Sequence, residues 1–145
     1  MKNNKKIILV GGCFDILHIG HLRLLEKAKK LGDVLMVGIN DDLFIKKTKG
    51  KNRPIIPAKQ RREILLGLKC VDKVFVTNMA LYDDRNLIKY SPDVLVFGTE
   101  KAKLKRRKKI AKEVEDKFPK IKTVFLNSGV NYVSTTKIEN KIIKK

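Results

Sequence analysis

Five short apolar runs, each parted from the next by residues with helical spacing or turn chemistry, leave this chain few folds to adopt. The runs are Ile7 to Cys13, Val34 to Ile39, Val71 to Val76, Val94 to Phe97 and Thr123 to Leu126. Each is short, and the second is rich in β-branched residues, as buried strands are. Between them, Leu22, Leu25 and Ala28 recur with Leu24 and Leu31 at helical spacing up to Gly32, which reads as a C-cap. A second helix starts near Ala58 after Pro57 and carries Ile64, Leu65 and Leu68. Asp83 to Tyr90 fits a short helix that stops before Pro92. Lys101 to Phe118 places Ile110, Val114 and Phe118 at i, i+4 and i+8, and Thr136 to Ile143 closes the series. Asn40, Asp41 and Asp42 break the pattern after the second run. Lys46 to Pro57, with five basic residues, two prolines and a glycine, reads as a mobile loop. Strands alternating with helices predict an α/β fold, a doubly wound parallel five-stranded sheet in a single domain spanning 1–145. Right-handed crossovers put every strand's C-terminal end on one edge, where a ligand would sit.

At 145 residues the chain can bury a substantial core. No apolar run approaches the roughly 20 residues that cross a bilayer. The basic stretch Met1 to Lys6 leads through a short apolar run to Asp15, which matches neither a signal peptide nor an anchor. Cys13 and Cys70 have no close partner and read as reduced thiols, an expectation of a cytoplasmic protein. Lys and Arg total 34 against 15 Asp and Glu, a net charge of +19 that favours anionic ligands. Nucleic acid is the sharp reading of that charge. It lacks a helix-turn-helix, zinc-finger or RNA-recognition signature, and aromatics for base stacking are few. An anionic small molecule is the favoured ligand. The run Lys101 to Lys112, with eight basic residues and no acid, reads as a solvated helix face, with a cover over the site or a nucleic-acid contact as its alternatives.

The chemistry concentrates where the first run turns into the first helix: Gly11-Gly12-Cys13-Phe14-Asp15-Ile16-Leu17-His18-Ile19-Gly20-His21. A strand passing through glycines into a helix presents free N–H groups and a positive dipole end, which attract phosphate. His18 and His21, both histidines of the chain, stand there on one stripe with Leu22, Leu25 and Ala28. No Cys, Asp or Glu at fixed spacing completes a metal set with them, so no protein-held metal is expected. Asp15 reads as an N-cap, a site residue, or both. Arg61 opens the stripe Ile64, Leu65, Leu68, and an unpaired buried guanidinium is costly, so it is expected to face an anion at the sheet edge. Lys46 is the loop lysine nearest the second strand and the favoured phosphate contact. Ser134-Thr135-Thr136 precedes the last helix. Thr136 and Glu139 have capping-box spacing, and three hydroxyls there could equally clamp phosphate.

Gly12-x-Phe14-Asp15-x-x-His18-x-Gly20-His21, together with Val133-Ser134-Thr135-Thr136-Lys137-Ile138, resembles the cytidylyltransferase-like nucleotidyltransferase family over essentially the whole chain. The resemblance implies a Rossmann-like domain that moves a nucleoside monophosphate from ATP or CTP to a phosphorylated sugar or alcohol and releases pyrophosphate. It also implies Mg²⁺ as cofactor and a homodimer. Gly12, Cys13, Phe14, Asp15, His18, His21, Gly98 and Ser134 to Thr136 would then bind nucleotide, with His18, His21, Lys46 and Arg61 catalytic. Asn40-Asp41-Asp42 and Lys49-Gly50-x-x-Arg53-Pro54-x-x-Pro57-x-x-Gln60-Arg61 look most like the adenylyltransferase domain of ADP-heptose synthesis. FAD synthetases resemble the same middle stretch, and glycerol-3-phosphate cytidylyltransferase is the alternative by reaction. The chain departs from those relatives at Phe97-Gly98-Thr99-Glu100, where the heptose enzymes carry Lys-Gly-Gly-Asp. It departs again at Gly129-Val130-Asn131-Tyr132, where the glycerol-phosphate enzymes carry Arg-Thr-Glu-Gly. The competing class is a basic nucleotide- or RNA-binding module without catalysis.

Overall fold

The computed structural model describes residues 4–144; Met1 to Asn3 of the basic lead and the terminal Lys145 lie outside it. The elements in chain order are β1 (Ile7–Gly12), α1 (Ile19–Lys29), β2 (Val34–Asn40), α2 (Asp42–Lys49), α3 (Ala58–Leu66) and β3 (Lys73–Thr77). They continue with α4 (Asp84–Tyr90), β4 (Val94–Gly98), α5 (Lys101–Lys117), β5 (Lys122–Leu126) and α6 (Thr135–Ile143). The five strands form one all-parallel sheet in the order β3-β2-β1-β4-β5. Strand order reverses between β1 and β4, so the crevice outside their C-terminal ends is where a doubly wound sheet takes its ligand.

Alternation along the strands sorts the core into two layers. Ile8, Val10, Leu35, Val37 and Val96 point to the face covered by Leu25 and Ala28 of α1 and Leu65 of α3. Leu9, Met36, Leu95 and Phe97 point to the opposite face, under Leu87 of α4 and Ala111 and Val114 of α5. That two-sided burial is why the strands read as unbroken apolar runs. α6 contributes no buried residue.

Four local expectations are corrected. α2 occupies residues read as a break and a loop. Its N-cap is Asp41, whose Oδ1 accepts from the Phe44 N–H at 2.8 Å, and Lys46, Lys47 and Lys49 complement the dipole in its last turn. With Ile45 its one buried side chain, α2 has no apolar period to detect. α1 ends at Lys29 with Lys30 as its cap rather than Gly32. Gly32 serves a close approach instead: a Cβ there would lie 2.8 Å from Ile8 and from the Lys6 carbonyl. On α3, Ile64 is 45% exposed, so the inward residues are Arg61 and Leu65, with Leu68 packing on the core just beyond the helix end. α6 is capped by Ser134, whose Oγ accepts from the Lys137 N–H at 3.1 Å, and not by a Thr136–Glu139 box.

Candidate functional site

β1 runs out in Gly11 and Gly12 against close neighbours. Added Cβ atoms would lie 2.9 Å from Leu81 at Gly11 and 2.8 Å from the Phe14 ring at Gly12. The Gly11 N–H donates to the Tyr82 hydroxyl at 3.2 Å, and burial pushes that hydroxyl's pKa up to about 12. Phe14 then adopts φ 51°, a left-handed backbone that bulky residues rarely take. Its buried ring packs 5.0 Å from that of His21.

The two histidines organise each other. His18 is the N-cap of α1, and its Nδ1 accepts from the Gly20 N–H at 3.1 Å. His21 Nδ1 accepts from the His18 N–H at 3.3 Å. This is a capping box built from imidazoles, with the rings stacked 3.8 Å apart. With both Nδ1 atoms accepting, the proton of each neutral ring resides on Nε2, leaving two N–H donors. Burial lowers the His18 pKa, opposed by the carboxylate of Glu100. Burial, followed by the neighbouring charge of His18, lowers His21 to about 4. The pair is therefore neutral and hydrogen-donating at neutral pH.

The N-terminus of α6 meets the same turn. Thr135 Oγ1 donates to the Ile16 carbonyl at 3.3 Å, placing Ser134 to Thr136 beside the start of α1. Two helix N-termini thus share one neighbourhood, and both favour an anion there.

Asp15 does not cap α1. Its side chain is 1% exposed and accepts from the Ile55 N–H (3.0 and 2.9 Å) and the Ile56 N–H (2.8 Å), pinning the loop before α3 to the turn. Nor does Arg61 face an open anion. Its guanidinium is fully buried and donates to the carbonyls of Ile56 (2.8 Å), Cys13 (2.9 Å) and Asn40 (3.0 Å), and to the Asp42 carboxylate (2.9 Å). It is a brace joining the ends of β1 and β2 to α2 and α3, with its charge already matched.

Beside the turn, outside the ends of β1 and β4, lies a cleft of about 780 Å³. Gly11 to Cys13 and Gly98 form its wall at the sheet edge, whereas Phe14, Asp15, His18, His21 and Ser134 to Thr136 do not line it. Lys46 is exposed and does not line it; Lys49, one turn further along α2, does. The cleft's other basic residues are Arg85 of α4, which is paired with Asp83, and several from α5. Lys103, Arg106 and Arg107 line it, so the basic helix is in part a wall of the site. Arg107 is engaged by Glu100 and by the Gly98 carbonyl (2.8 Å). Among the described residues Lys49, Lys103 and Arg106 have no ion-pair partner. Loss of solvent, with the charges of Lys49 and Arg107, lowers the Lys103 pKa. Burial pushes the Glu100 carboxyl up, but Arg107 outweighs it and leaves the group below its ordinary value. Lys103 is not singled out in the sequence because it sits in a charge run that looks like a solvated face, Lys49 stands among loop lysines of which Lys46 is favoured, and Glu100 figures there only as a departure from the relatives. Only the crossovers reveal which members of those runs turn inward.

These features define a Rossmann-like α/β domain with a basic cleft at its switch point. The chain belongs to the cytidylyltransferase-like family, whose model matches residues 9–141. It is 53% identical over 94 residues to the bifunctional protein HldE of Helicobacter hepaticus, covering 64% of this chain and 19% of that protein. With the bifunctional protein HldE of Nitratiruptor sp. it shares 45% identity over 115 residues, 78% of this chain and 24% of the relative. The chain spans about a fifth to a quarter of these relatives' length. Among solved structures, the lipopolysaccharide core biosynthesis protein from Thermoplasma volcanium has a TM-score of 0.65 at 24% identity, covering 86% of this chain and 96% of that one. Pantoate-beta-alanine ligase from Francisella tularensis also has a TM-score of 0.65, at 21% identity, over 100% of this chain and 72% of its own. Those two likenesses speak to fold.

Proposed function

We propose that the chain is a nucleotidyltransferase that moves a nucleoside monophosphate from ATP or CTP to a phosphorylated sugar or alcohol, with release of pyrophosphate. The observation that carries this reading is the interlocked histidine pair, which offers two neutral Nε2–H donors beside two helix N-termini. The acceptor phosphate attacks the nucleotide α-phosphorus, the bond from that phosphorus to the bridging oxygen of the pyrophosphate breaks, and no covalent enzyme intermediate is needed. Catalysis then rests on positioning and on donors aimed where charge builds. His18 and His21 donate to the transferring phosphoryl oxygens. The Ser134–Thr136 end of α6 holds the departing phosphates, and Lys49 and Lys103 balance the acceptor phosphate in the cleft.

A heptose-1-phosphate-type acceptor with ATP is the favoured pair. It rests on the resemblance of the middle stretch and is supported by the identity to the bifunctional HldE proteins. A glycerol-3-phosphate cytidylyltransferase or an FAD synthetase remains the alternative within the reaction class. Among the described residues no group of three or more His, Cys, Asp or Glu side chains comes together. Glu100, the carboxylate whose charge reaches both histidines, is the residue that would help to hold Mg²⁺ alongside a bound nucleotide. Bound there, Mg²⁺ would neutralise phosphate charge. A homodimer and a cytoplasmic location complete the proposal; no described helix is long and apolar enough to cross a membrane.

The test is pyrophosphate release with ATP or CTP across heptose 1-phosphate, glycerol 3-phosphate, phosphoethanolamine, phosphocholine and FMN. Turnover is expected with one nucleotide–acceptor pair well above the rest. No turnover with any pair, together with salt-sensitive RNA binding, would instead identify a binding module.

A further inference from the structure

α6 carries the Ser134–Thr136 end of the site, yet apolar packing does not hold it there. None of its residues is buried, and Ile142 and Ile143 are 67% and 80% exposed. Two polar ties fasten it to distant parts of the chain. One is the Thr135 hydroxyl on the Ile16 carbonyl. The other is an ion pair between Glu139 and Arg53, a residue of the loop between α2 and α3.

Arg53 has a second charge to answer. Its Nε lies 3.3 Å from Asp15 Oδ2, and that nitrogen is buried with no hydrogen-bond partner of its own. Asp15 is fixed to the turn that leads to His18, and its buried carboxylate has the Ile55 and Ile56 N–H groups and this guanidinium as its compensation. One cation therefore stands between a carboxylate anchored beside the histidines and a carboxylate on α6. Removing it leaves the buried Asp15 charge with only the Ile55 and Ile56 N–H groups and α6 with a single tie.

We propose that Arg53 is a positioning residue for nucleotide. By spanning Asp15 and Glu139 it holds the phosphate-binding end of α6 in register with His18 and His21. The inference rests on the nucleotidyl-transfer reading above. It differs from simple structural support because the elements it joins are the two walls that must close on one triphosphate. Displacements near 1 Å at such a site cost rate and binding out of proportion to stability.

The test uses Glu139→Gln, Arg53→Met, the double variant and Arg53→Lys in the full chain. Amide hydrogen exchange of residues 134–143 in the ligand-free protein is read first, then KM for nucleotide, KM for acceptor and kcat. Glu139→Gln keeps the Asp15–Arg53 contact, so it reports on the link even if Arg53→Met folds poorly. The expectation is faster exchange in α6 for Glu139→Gln and for Arg53→Met and a nucleotide KM raised about tenfold or more, with acceptor KM shifted much less. The double variant should be no worse than Arg53→Met, as for two members of one interaction, and Arg53→Lys should recover part of the loss. Unchanged exchange in α6, or nucleotide and acceptor KM rising alike, overturns the proposal. If the wild-type chain turns over no nucleotide, the transfer reading fails, while the exchange measurement still decides whether Arg53 holds α6.

Discussion

The two imidazoles are useful to a phosphoryl reaction because they are not charged at rest. An imidazolium would bind triphosphate tightly in the ground state, whereas a fixed neutral donor gains most as charge develops in the transition state. The shifted pKa values set a pH signature. With His21 held near 4 by burial in the ligand-free protein, kcat/KM should show no change owed to His21 until pH approaches 4. Stability follows the same group. The unfolded histidine protonates near 6.5 and the folded one near 4, so the unfolded chain binds more protons between those values. Its contribution is therefore present above 6.5 and is lost as pH falls toward 4. A His21→Phe variant should lose stability less steeply than wild type over that interval in urea titrations. Equal slopes would show that His21 titrates normally. Arg61 is judged differently. Arg61→Ala strips a buried guanidinium from three carbonyls and Asp42. It should cost about 3–5 kcal/mol in chemical denaturation. A variant as stable as wild type but with a raised substrate KM would restore Arg61 as a ligand contact.

At the scale of elements, α2 decides which lysine serves the site. Read as a loop, the stretch favours Lys46, nearest the end of β2. Folded as a helix capped by Asp41, it places Lys49 in the cleft and leaves Lys46 outside. Lys49→Ala should raise the acceptor KM about 10- to 100-fold, the worth of a charge-assisted hydrogen bond. Lys46→Ala should leave steady-state kinetics within twofold of wild type. The reverse ranking would contradict the cleft assignment. The strands and long helices were legible because each buries a periodic apolar set, and burial on both faces of the sheet leaves unbroken runs. α2 was not legible because it buries only Ile45, so charge and capping define it rather than period. The histidines and the Ser-Thr-Thr cap were legible as chemistry. Their partners were not: Asp15 with Arg53, and Arg61 with Cys13, Asn40 and Asp42, are pairings across 19 to 48 residues that only the crossovers create.

For the molecule as a whole, a charge of +19 sets a long-range field over a site whose proposed substrates are all anions. Part of that charge belongs to the site, since α5 turns Lys103, Arg106 and Arg107 into the cleft. The rest of the basic run is exposed and acts at a distance. Raising ionic strength from about 0.05 to about 0.5 M, which shortens the Debye length about threefold, should raise KM for nucleotide while changing kcat little. A salt-insensitive KM would mean that the surface charge serves something other than substrate capture.

The central claim is that His18 and His21 stabilise the transferring phosphoryl group rather than merely cap α1. It is tested most directly by single-turnover pyrophosphate release from His18→Ala and His21→Ala with the best nucleotide–acceptor pair, alongside circular dichroism to confirm the fold. The account predicts a loss of at least about 10² in rate for each variant, the cost of one preorganised donor, with the α/β spectrum retained. Turnover within a few-fold of wild type in either folded variant would contradict it.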